Sequence, residues 1–543
     1  METHTNHYLK FDPLEYAYPS RRYATYGYKG MVVASAPTAA EAGMRILEEG
    51  GNAIDAAVAS AASLTVVEPL ATSIGSDAFA IVCFKGKLYG INASGRCPYS
   101  LTYDILHRQG YKHIPLHGVI PITVPGAPGA WAELSKRFGN NNLLKNLTPA
   151  IELAENGYAV SSKISYLWNR ALNLFQSEKY DPLFRELFNI YTINGNAPNP
   201  GQVIRFPELA VTLSEIGATN AESFYSGNLT ERIVDFIRNN QGFLKASDLE
   251  TYTCEWVEPI STDYRGYTIY ELPPNGHGLV VLLALNILEN FDLINKESAE
   301  SYHILIEAMK LAYEDGFKYI GDPDFMNVTP EQLLSKDYAN SRSKLIDNTA
   351  KTHLPGNPKG SDTVYFCTAD AEGNMVSMIQ SHYQNFGSGV VIPGTGILMQ
   401  DRGTNFNLNP YSVNCLGPGK RPYHTIIPGF LGQDGVPIGP FGVMGGFMQP
   451  QGHLQILTNL IDFHMNPQEA LDAPRFQYIA GKTVEIESEV PEEILQQLKA
   501  MGHDITIKND PSDFGRGQII FRTPYESYIG ATEPRTDGTI ATW

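Results

Sequence analysis

Hydrophobic and polar positions change their spacing along this chain, and the change comes close to residue 363. Between residues 101 and about 350 the apolar positions recur mainly at helical spacing. After residue 363, runs of β-branched and aromatic residues predict strands before helical spacing returns. Helices are predicted at 149–156, 207–216, 221–239, 298–319, 449–463, 467–473 and 491–501. Strands, then helices, then strands again indicate an α+β fold rather than alternating β-α-β units.

Polar residues that can cap helices predict where three helices begin. Thr38 and Glu41 have capping-box spacing and predict the start of an N-terminal helix. Asn52 can cap the next helix, whose many alanines indicate close packing inside the protein. Thr148 is expected to cap a helix whose first residue is Pro149.

The segment at the change of spacing carries candidate chemistry. A stretch rich in proline and glycine, residues 354–360, leads to Thr363 at the start of a predicted strand. Cleavage of the Asp362–Thr363 bond would give Thr363 a free α-amine beside its own hydroxyl. Such an amine titrates near about 7.7–8.0, so it can accept the hydroxyl proton near neutral pH. Taken alone, the segment is more typical of an ordinary hairpin after a surface loop.

Composition excludes some classes of function. The 543 residues include 43% hydrophobic and 11% aromatic residues, enough for a large buried core. No low-complexity linker or internal repeat divides them. A net charge of −18 disfavours nucleic acid as a partner, because phosphates require a basic surface.

Cysteine usage and hydropathy address the location of the protein. The five cysteines are scattered without metal-type spacing and are expected to be free thiols. Residues 1–20 lack the basic start and apolar core of a signal peptide. The longest apolar run, 279–285, is too short to cross a bilayer and predicts a buried helix. We therefore expect a cytoplasmic protein with no membrane association.

Three groups of short motifs occur in a fixed order along the chain. The first is Gly-Gly-Asn-Ala-Ile-Asp-Ala-Ala at 50–57, and the second is Thr363 with Phe-Gly-Ser-Gly at 386–389 and Gly-Thr-Gly-Ile at 394–397. The third is Lys-Arg-Pro at 420–422, Met-Gly-Gly at 444–446 and Ala-Pro-Arg-Phe at 473–476. Together they resemble the gamma-glutamyltransferase family of N-terminal-nucleophile hydrolases, which also contains cephalosporin-acylase-like members.

The resemblance implies a fold and a subunit organisation. The family fold is a four-layer αββα sandwich, with two antiparallel sheets between layers of helices. Self-cleavage would give a large subunit, residues 1–362, and a small subunit, residues 363–543. The two chains are expected to stay together as one globular unit.

The resemblance also implies roles for five residues. Thr363 corresponds to the nucleophile, and Ser381 to a second hydroxyl beside it. Gly445 and Gly446 match the pair whose backbone N–H groups stabilise the oxyanion. Arg96 corresponds to the arginine that binds the α-carboxylate of the substrate, a role suited to a bidentate guanidinium.

Five other positions depart from the transpeptidase pattern and belong to the predicted substrate pocket. Asn405 replaces an aspartate that binds the substrate ammonium, and Arg402 replaces a glutamine. Tyr383 replaces an asparagine, and His424 and Thr425 replace paired serines. The first two changes make the pocket more positive by about two charges, so an ammonium group is poorly accommodated.

These residues predict a self-processing amidohydrolase or acyltransferase that cleaves gamma-glutamyl or glutaryl-like amides through an acyl-threonine, with hydrolysis favoured over transfer. Two alternatives stay open: an N-acyl, cephalosporin-type acylase without gamma-glutamyl activity, and an unprocessed, non-catalytic binding protein. The expected partners are a small molecule with an amide and a distal carboxylate, and the cleaved subunit. No cofactor is implied, and the 13 histidines show no HExxH-type spacing for a metal.

Overall fold

The computed structural model of the protein describes residues 21–352 and 363–543. Asp362, and with it the predicted cleavage at Asp362–Thr363, lies outside the described residues. Within these ranges the strands are β1 (Thr25–Gly27), β2 (Gly30–Ala34), β3 (Asp77–Phe84), β4 (Lys87–Ala93), β5 (Tyr158–Ala159), β6 (Val203–Ile204), β7 (Glu255–Val257), β8 (Ile260–Tyr264), β9 (Tyr267–Glu271), β10 (Val364–Asp370), β11 (Met375–Ser381), β12 (Val391–Ile392), β13 (Ile397–Leu398), β14 (Gly429–Gln433), β15 (Val436–Met444), β16 (Phe476–Ala480), β17 (Thr483–Glu487), β18 (Asp504–Lys508), β19 (Arg516–Arg522), β20 (Tyr528–Thr532) and β21 (Thr539–Thr542).

The α-helices of the same ranges are α1 (Pro37–Glu48), α2 (Ala53–Val67), α3 (Tyr103–Arg108), α4 (Ala127–Phe138), α5 (Leu143–Asn156), α6 (Ser162–Asn173), α7 (Arg185–Ile190), α8 (Pro207–Ala218), α9 (Glu222–Ser226), α10 (Asn228–Asn239), α11 (Ala246–Glu250), α12 (Gly278–Leu288), α13 (Ala299–Tyr319), α14 (Pro330–Leu333), α15 (Lys336–Ser343), α16 (Met448–Ile461), α17 (Pro467–Asp472) and α18 (Glu492–Ala500). None of them combines the length and the apolar character needed to cross a bilayer.

Two seven-stranded sheets form the centre of the fold. One has the order β1-β20-β19-β15-β14-β9-β8 and the other β21-β2-β10-β11-β3-β4-β7. All neighbouring strands in both sheets are antiparallel. The sheets pack face to face, with β10 against β15 and β19, while α1, α2 and α4 cover one outer face and α12, α16 and α17 cover the other. This is the predicted four-layer αββα sandwich.

Strands β10 and β11 lie in the middle of the second sheet and are buried on both faces. Every residue of the two strands is buried, which explains their nearly continuous apolar sequences. The polar side chains among them find internal partners: the hydroxyl groups of Tyr365 and Ser377 lie 2.8 Å apart. The sheet centre therefore supplies a rigid base for the residues at the ends of these strands.

Helix capping near the N-terminus agrees with one sequence prediction and contradicts another. The Asn52 side chain accepts hydrogen bonds from the N–H groups of Ile54 and Asp55, and the Asp55 carboxylate accepts the N–H of Asn52 in return. The predicted cap at Thr38 is wrong, because α1 already begins at Pro37 and no side chain caps it. Proline suits this first position, since its missing N–H would have had no helical partner.

Two predictions in the helical block also need correction. Thr148 is not a cap: α5 is capped by Asn142 six residues earlier, and Pro149 lies inside the helix. The helix predicted at 221–239 is two helices, α9 and α10, separated at Gly227. A Cβ on Gly227 would lie 2.8 Å from the Cα atom of Ser223, so the chain needs glycine to turn at this point.

Candidate active site

Thr363 and Ser381 lie side by side at the ends of neighbouring strands. Val364 pairs with Gln380 in the β10–β11 ladder, which brings Thr363, directly before β10, opposite Ser381, the last residue of β11. Both side chains are fully buried, and the Thr363 hydroxyl donates to the Ser381 hydroxyl oxygen at 3.1 Å. The backbone N–H of Tyr383 also donates to that oxygen, at 2.8 Å. Strand register alone thus brings the predicted nucleophile and second hydroxyl together.

Gly445 and Gly446 connect the end of β15 to the start of α16. Their φ angles are +130° and +58°, a region of backbone space that favours glycine. Within the described ranges neither N–H group donates a hydrogen bond to a backbone carbonyl. They precede the N-terminus of a 14-residue helix, whose dipole favours negative charge. These properties fit the predicted role of the two glycines in stabilising an oxyanion.

A cavity of about 1310 Å³ opens beside these residues. Gly445, Tyr383 and Thr404 form part of its wall, and Leu167, Leu174 and Phe184 add apolar surface. Its volume is at or above the upper end of the range usual for small-molecule sites. The space can accept a substrate considerably larger than an amino acid.

Arg402 is a buried cation behind Tyr383. Its guanidinium carbon lies 4.6 Å from the centre of the Tyr383 ring, and its Nη1 donates to the Thr425 hydroxyl at 2.7 Å. Its Nε and Nη2 have no hydrogen-bond partner among the described residues. Burial lowers the pKa of Arg402 to about 10, so the side chain is still charged at neutral pH. Two donors of this buried charge are therefore left without a partner among the described residues.

Two carboxylates that sequence reasoning missed accompany this arginine. Asp401 accepts the N–H of Gln384 at 3.0 Å, and its second oxygen has no partner in the described chain. Burial raises the pKa of Asp401 to about 7 and that of Asp77 to about 6, and the charge of Arg402 opposes both shifts. Asp401 could have been suspected as the neighbour of Arg402. Asp77 offered no local signal, because it reaches the site through the pairing of β3 with β11.

His424 is a neutral partner of Asp77. Its Nε2 lies 3.0 Å from the Asp77 carboxylate, while its Nδ1 accepts the N–H of Ile426 at 3.3 Å. Burial, followed by the charge of Arg402, lowers the pKa of His424 well below its usual value. The acceptor role of Nδ1 leaves the single proton on Nε2, where it is donated to Asp77. The hydrogen bond from His424 therefore holds the buried Asp77 carboxylate in position.

Gln449 is a further residue that sequence reasoning missed. Its Nε2 lies 3.5 Å from the Thr363 hydroxyl oxygen, and its Oε1 accepts the N–H of Ile427 at 3.0 Å. It follows the Gly445–Gly446 turn by three residues, a closeness in sequence that could have drawn attention to it. Ile427 itself lies two residues from Thr425, the hydrogen-bond partner of Arg402. The predicted nucleophile and the buried arginine are thus linked through Gln449 and the short chain segment 425–427.

Two predicted pocket residues are placed differently from expectation. Arg96 lines a separate cavity of about 100 Å³ and is engaged by Glu255 at 3.2 Å, Asp322 at 3.4 Å and the Gly419 carbonyl at 2.9 Å. This geometry disfavours Arg96 as the arginine that grips a substrate carboxylate. Asn405 does not itself line the large cavity: it follows the wall residue Thr404, and its Nδ2 has no partner within the described residues.

A group of possible metal ligands lies apart from this site. His303, Glu307 and His503 are buried, with their ligand atoms within 4.8 Å of one another. The i,i+4 spacing of His303 and Glu307 on α13 is a signal that a search for HExxH motifs does not detect. The ammonium of Lys310 already lies 2.7 Å from the Glu307 carboxylate, and the two histidine rings are joined by a 2.8 Å hydrogen bond. The three side chains are therefore already engaged, the histidines with each other and Glu307 with Lys310.

Comparison with known proteins agrees with this geometry. A sequence model of the family described as Gamma-glutamyltranspeptidase matches residues 39–543. The chain belongs to this family. It is 38% identical over 527 residues to the "Glutathione hydrolase-like YwrD proenzyme" of Bacillus subtilis (strain 168), covering 94% of this chain and 98% of the relative.

Two further relatives of this family member are acylases. The "Acylase ACY 1 proenzyme" of Pseudomonas sp. (strain V22) is 34% identical over 529 residues, covering 94% of this chain and 93% of the relative. The crystal structure of a cephalosporin acylase from Bacillus halodurans superimposes with a TM-score of 0.96 at 54% identity, covering 98% of this chain and 99% of the other. The protein is thus an enzyme of the N-terminal-nucleophile hydrolase class, with the fold that the resemblance predicted.

Proposed function

We propose that this enzyme is a self-processing amidohydrolase that removes a carboxylate-bearing acyl group from an amine. Cleavage of the Asp362–Thr363 bond gives residues 1–362 and 363–543. The pairing of β2 with β10 and of β3 with β11 supports a lasting heterodimer, because strands of both products alternate within one sheet. Separating them would break this sheet at three strand junctions, β21–β2, β2–β10 and β11–β3.

Thr363 is the nucleophile in this proposal. Its Oγ1 attacks the amide carbonyl while the new α-amine accepts the hydroxyl proton. The N–H groups of Gly445 and Gly446 stabilise the oxyanion, and the C–N bond then breaks as the proton passes to the leaving amine. Water attacks the acyl-threonine by the reverse sequence of proton transfers and releases the acid. An acceptor amine in place of water would give transfer.

The observation that carries the substrate assignment is Arg402. A buried guanidinium with two unpartnered donors lies against Tyr383, a residue of the cavity wall, and this supports recognition of a carboxylate, which binds bidentately to such a group. A substrate ammonium would meet the same positive charge, and Asn405 offers no anion to offset it. The acyl group therefore resembles glutaryl more than gamma-glutamyl.

Self-cleavage is tested by intact mass measurement of the purified protein under denaturing conditions. Two chains that match cleavage at Asp362–Thr363, with a single uncut chain for Thr363→Ala, are expected. An uncut wild-type chain after prolonged incubation would contradict the proposal.

Substrate preference is tested with glutaryl and gamma-glutamyl anilides. The glutaryl compound is expected to be hydrolysed at least as fast as the gamma-glutamyl compound. A strong preference for the gamma-glutamyl compound would overturn the reading of Arg402 and Asn405.

A broader N-acyl acylase is a second candidate function. The cavity of about 1310 Å³ favours it, since its apolar wall can accept large amines or acyl groups. Bulky N-acyl amides with a neutral acyl end separate the two functions. Hydrolysis of these compounds at the rate of glutaryl amides would favour the broader acylase.

We also propose a cytoplasmic location. All five cysteines lie in the described ranges and are free thiols, as is usual in a reducing compartment. Fractionation of the source cells followed by activity measurement tests this location, and activity confined to the cell exterior would contradict it.

A further inference from the structure

Gln449 is a buried side chain of helix α16 that contacts the predicted nucleophile. It lies on the first turn of α16 and is fully buried. Its Nε2 lies 3.5 Å from the Thr363 hydroxyl oxygen, and the Thr363 hydroxyl donates a hydrogen bond to the Ser381 hydroxyl oxygen at 3.1 Å. The Thr363 oxygen thus has an acceptor on one side and an amide group on the other.

The surrounding backbone determines which way the amide of Gln449 points. Ile427 offers a backbone N–H at 3.0 Å, and an N–H can only donate. The oxygen of Gln449 must therefore face Ile427, and its NH₂ group must face Thr363. No rotation of the amide improves this arrangement, because a flip would set two donors against each other at Ile427.

We propose that Gln449 is a catalytic hydrogen-bond donor to Oγ1 of Thr363. The hydroxyl proton moves to the α-amine as the Oγ1–carbon bond forms. During this step the Gln449 amide N–H donates a hydrogen bond to Oγ1 and stabilises the negative charge that develops on that oxygen. Gln449 neither gains nor loses a proton in this step. The same donor serves self-cleavage: Oγ1 attacks the carbonyl carbon of Asp362, the peptide C–N bond breaks as the freed α-amine takes the hydroxyl proton, and water then hydrolyses the new ester. This inference rests on the proposed function, since it requires Thr363 to be the nucleophile.

The variant Gln449→Glu distinguishes a donor from a packing residue. One carboxylate oxygen still accepts the N–H of Ile427, but the other faces Thr363 as an acceptor instead of a donor. Protonation of the new carboxyl group at low pH restores a donor in the same place. At pH 8 we expect kcat to fall about tenfold to a hundredfold relative to the native enzyme. The ratio of variant to native kcat should then rise at least about fivefold as the pH is lowered to 5.

Two further variants serve as matched comparisons. Gln449→Met keeps the shape without any donor, so its kcat should be low by about the same factor at every pH. Gln455→Glu makes the identical chemical change six residues later on α16, where the side chain hydrogen-bonds, within the described residues, to backbone groups of Gln451 and Phe476. Its kcat ratio to the native enzyme should be near one and independent of pH, and thermal unfolding checks that each variant is folded.

Self-cleavage of the precursor gives a second readout that does not depend on prior processing. If Gln449→Glu accumulates uncut at pH 8, incubation of that same precursor at pH 5 should start its cleavage. Failure to recover at low pH, or native rates for both Gln449→Glu and Gln449→Met, would overturn the inference. Activity in Thr363→Ala would instead overturn the proposed function itself. If Thr363→Ala is inactive and Gln449→Met is fully active, the role of Gln449 is overturned while the proposed function stands.

Discussion

Two buried arginine clusters of this enzyme differ in how completely their charges are satisfied. Arg475 and Arg535 share the carboxylates of Glu533 and Glu487 at 2.5 to 2.8 Å, and both also donate to backbone carbonyls. Arg402 is equally buried, yet donates one hydrogen bond, to Thr425. Among the described residues the first cluster leaves one donor, Nε of Arg475, without a partner, whereas Arg402 leaves two and forms no ion pair with a carboxylate.

The difference teaches how structural and functional burial of charge can be told apart. An ion removed from water must recover its lost hydration through partners, or the folded state is destabilised. The Arg475 cluster recovers it from the protein and ties α17, β17 and β20 together. The Arg402 cluster leaves part of that cost uncompensated, and a substrate carboxylate can supply the missing partner.

The largest effect on stability is expected for the cluster of Arg475 and Arg535. Arg475→Met leaves the Glu533 carboxylate buried with one partner fewer, so the free energy of unfolding should fall by about 3–5 kcal/mol in urea titrations. The activity of the remaining folded protein should be little changed. A loss below about 1 kcal/mol would remove the distinction between the clusters.

The complementary change in the pocket should act on activity. For Arg402→Met we expect kcat/KM for a glutaryl anilide to fall about a hundredfold, equivalent to about 2.7 kcal/mol. The free energy of unfolding should change by less than about 1 kcal/mol, since the removed charge was poorly compensated. Arg402→Lys is the matched control, because it keeps the charge but loses the bidentate geometry. Its kcat/KM should lie between those of the native enzyme and Arg402→Met. Unchanged hydrolysis by Arg402→Met would contradict the carboxylate assignment.

The two clusters should also respond to pH in opposite directions. The pKa of Asp401 is raised by burial to about 7, so the folded state keeps a proton that the unfolded state releases near pH 4. Its contribution to stability is therefore present in acid and lost as the pH rises from about 4 to 7, by at most about 1.4 kcal/mol per pH unit. Asp401→Asn should remove this slope in urea titrations repeated across that range.

Glu533 provides the opposing case. Burial raises its pKa, but Arg475 and Arg535 together lower it further, so the net shift is downward. Its contribution is present above the ordinary glutamate pKa and is lost as the pH falls through the lowered value. Glu533→Gln should therefore be less stable than the native enzyme at pH 7, with a smaller difference in acid. Equal slopes for both variants would contradict the comparison.

The smallest effect is expected at Thr425. Thr425→Val removes the hydrogen bond that orients Arg402, without changing the charge of the pocket. The expected loss is about 1 kcal/mol, seen as a KM for the glutaryl anilide about fivefold higher at nearly unchanged kcat. A reduced kcat at constant KM would place Thr425 closer to the reacting atoms than to Arg402.

Local sequence patterns predicted much of the fold because the signals they carry are short-range. The strands on either side of the turn at 370–374, the cap at Asn52 and the buried helix around 279–285 follow from neighbouring residues and appear as β10, β11, α2 and α12. The errors at Thr38 and Thr148 arose where a capping pattern lay inside a helix that starts earlier. A capping residue acts only if the preceding chain leaves the helix, which the pattern itself does not specify.

The sequence alone determined the class of the protein: the ordered motifs identify the family, and the position of Thr363 before a strand indicates the nucleophile. Only the tertiary structure decided the contents of the pocket. It brings Asp77 to His424 and Gln449 to Thr363 across large separations in the chain, and it engages Arg96 in ion pairs while leaving donors of Arg402 unpartnered. The physical reason is that the partners and the burial of a side chain depend on how the sheets and helices pack. The sequence therefore specifies the chemical groups of a residue, but it does not specify whether those groups are free to bind a ligand.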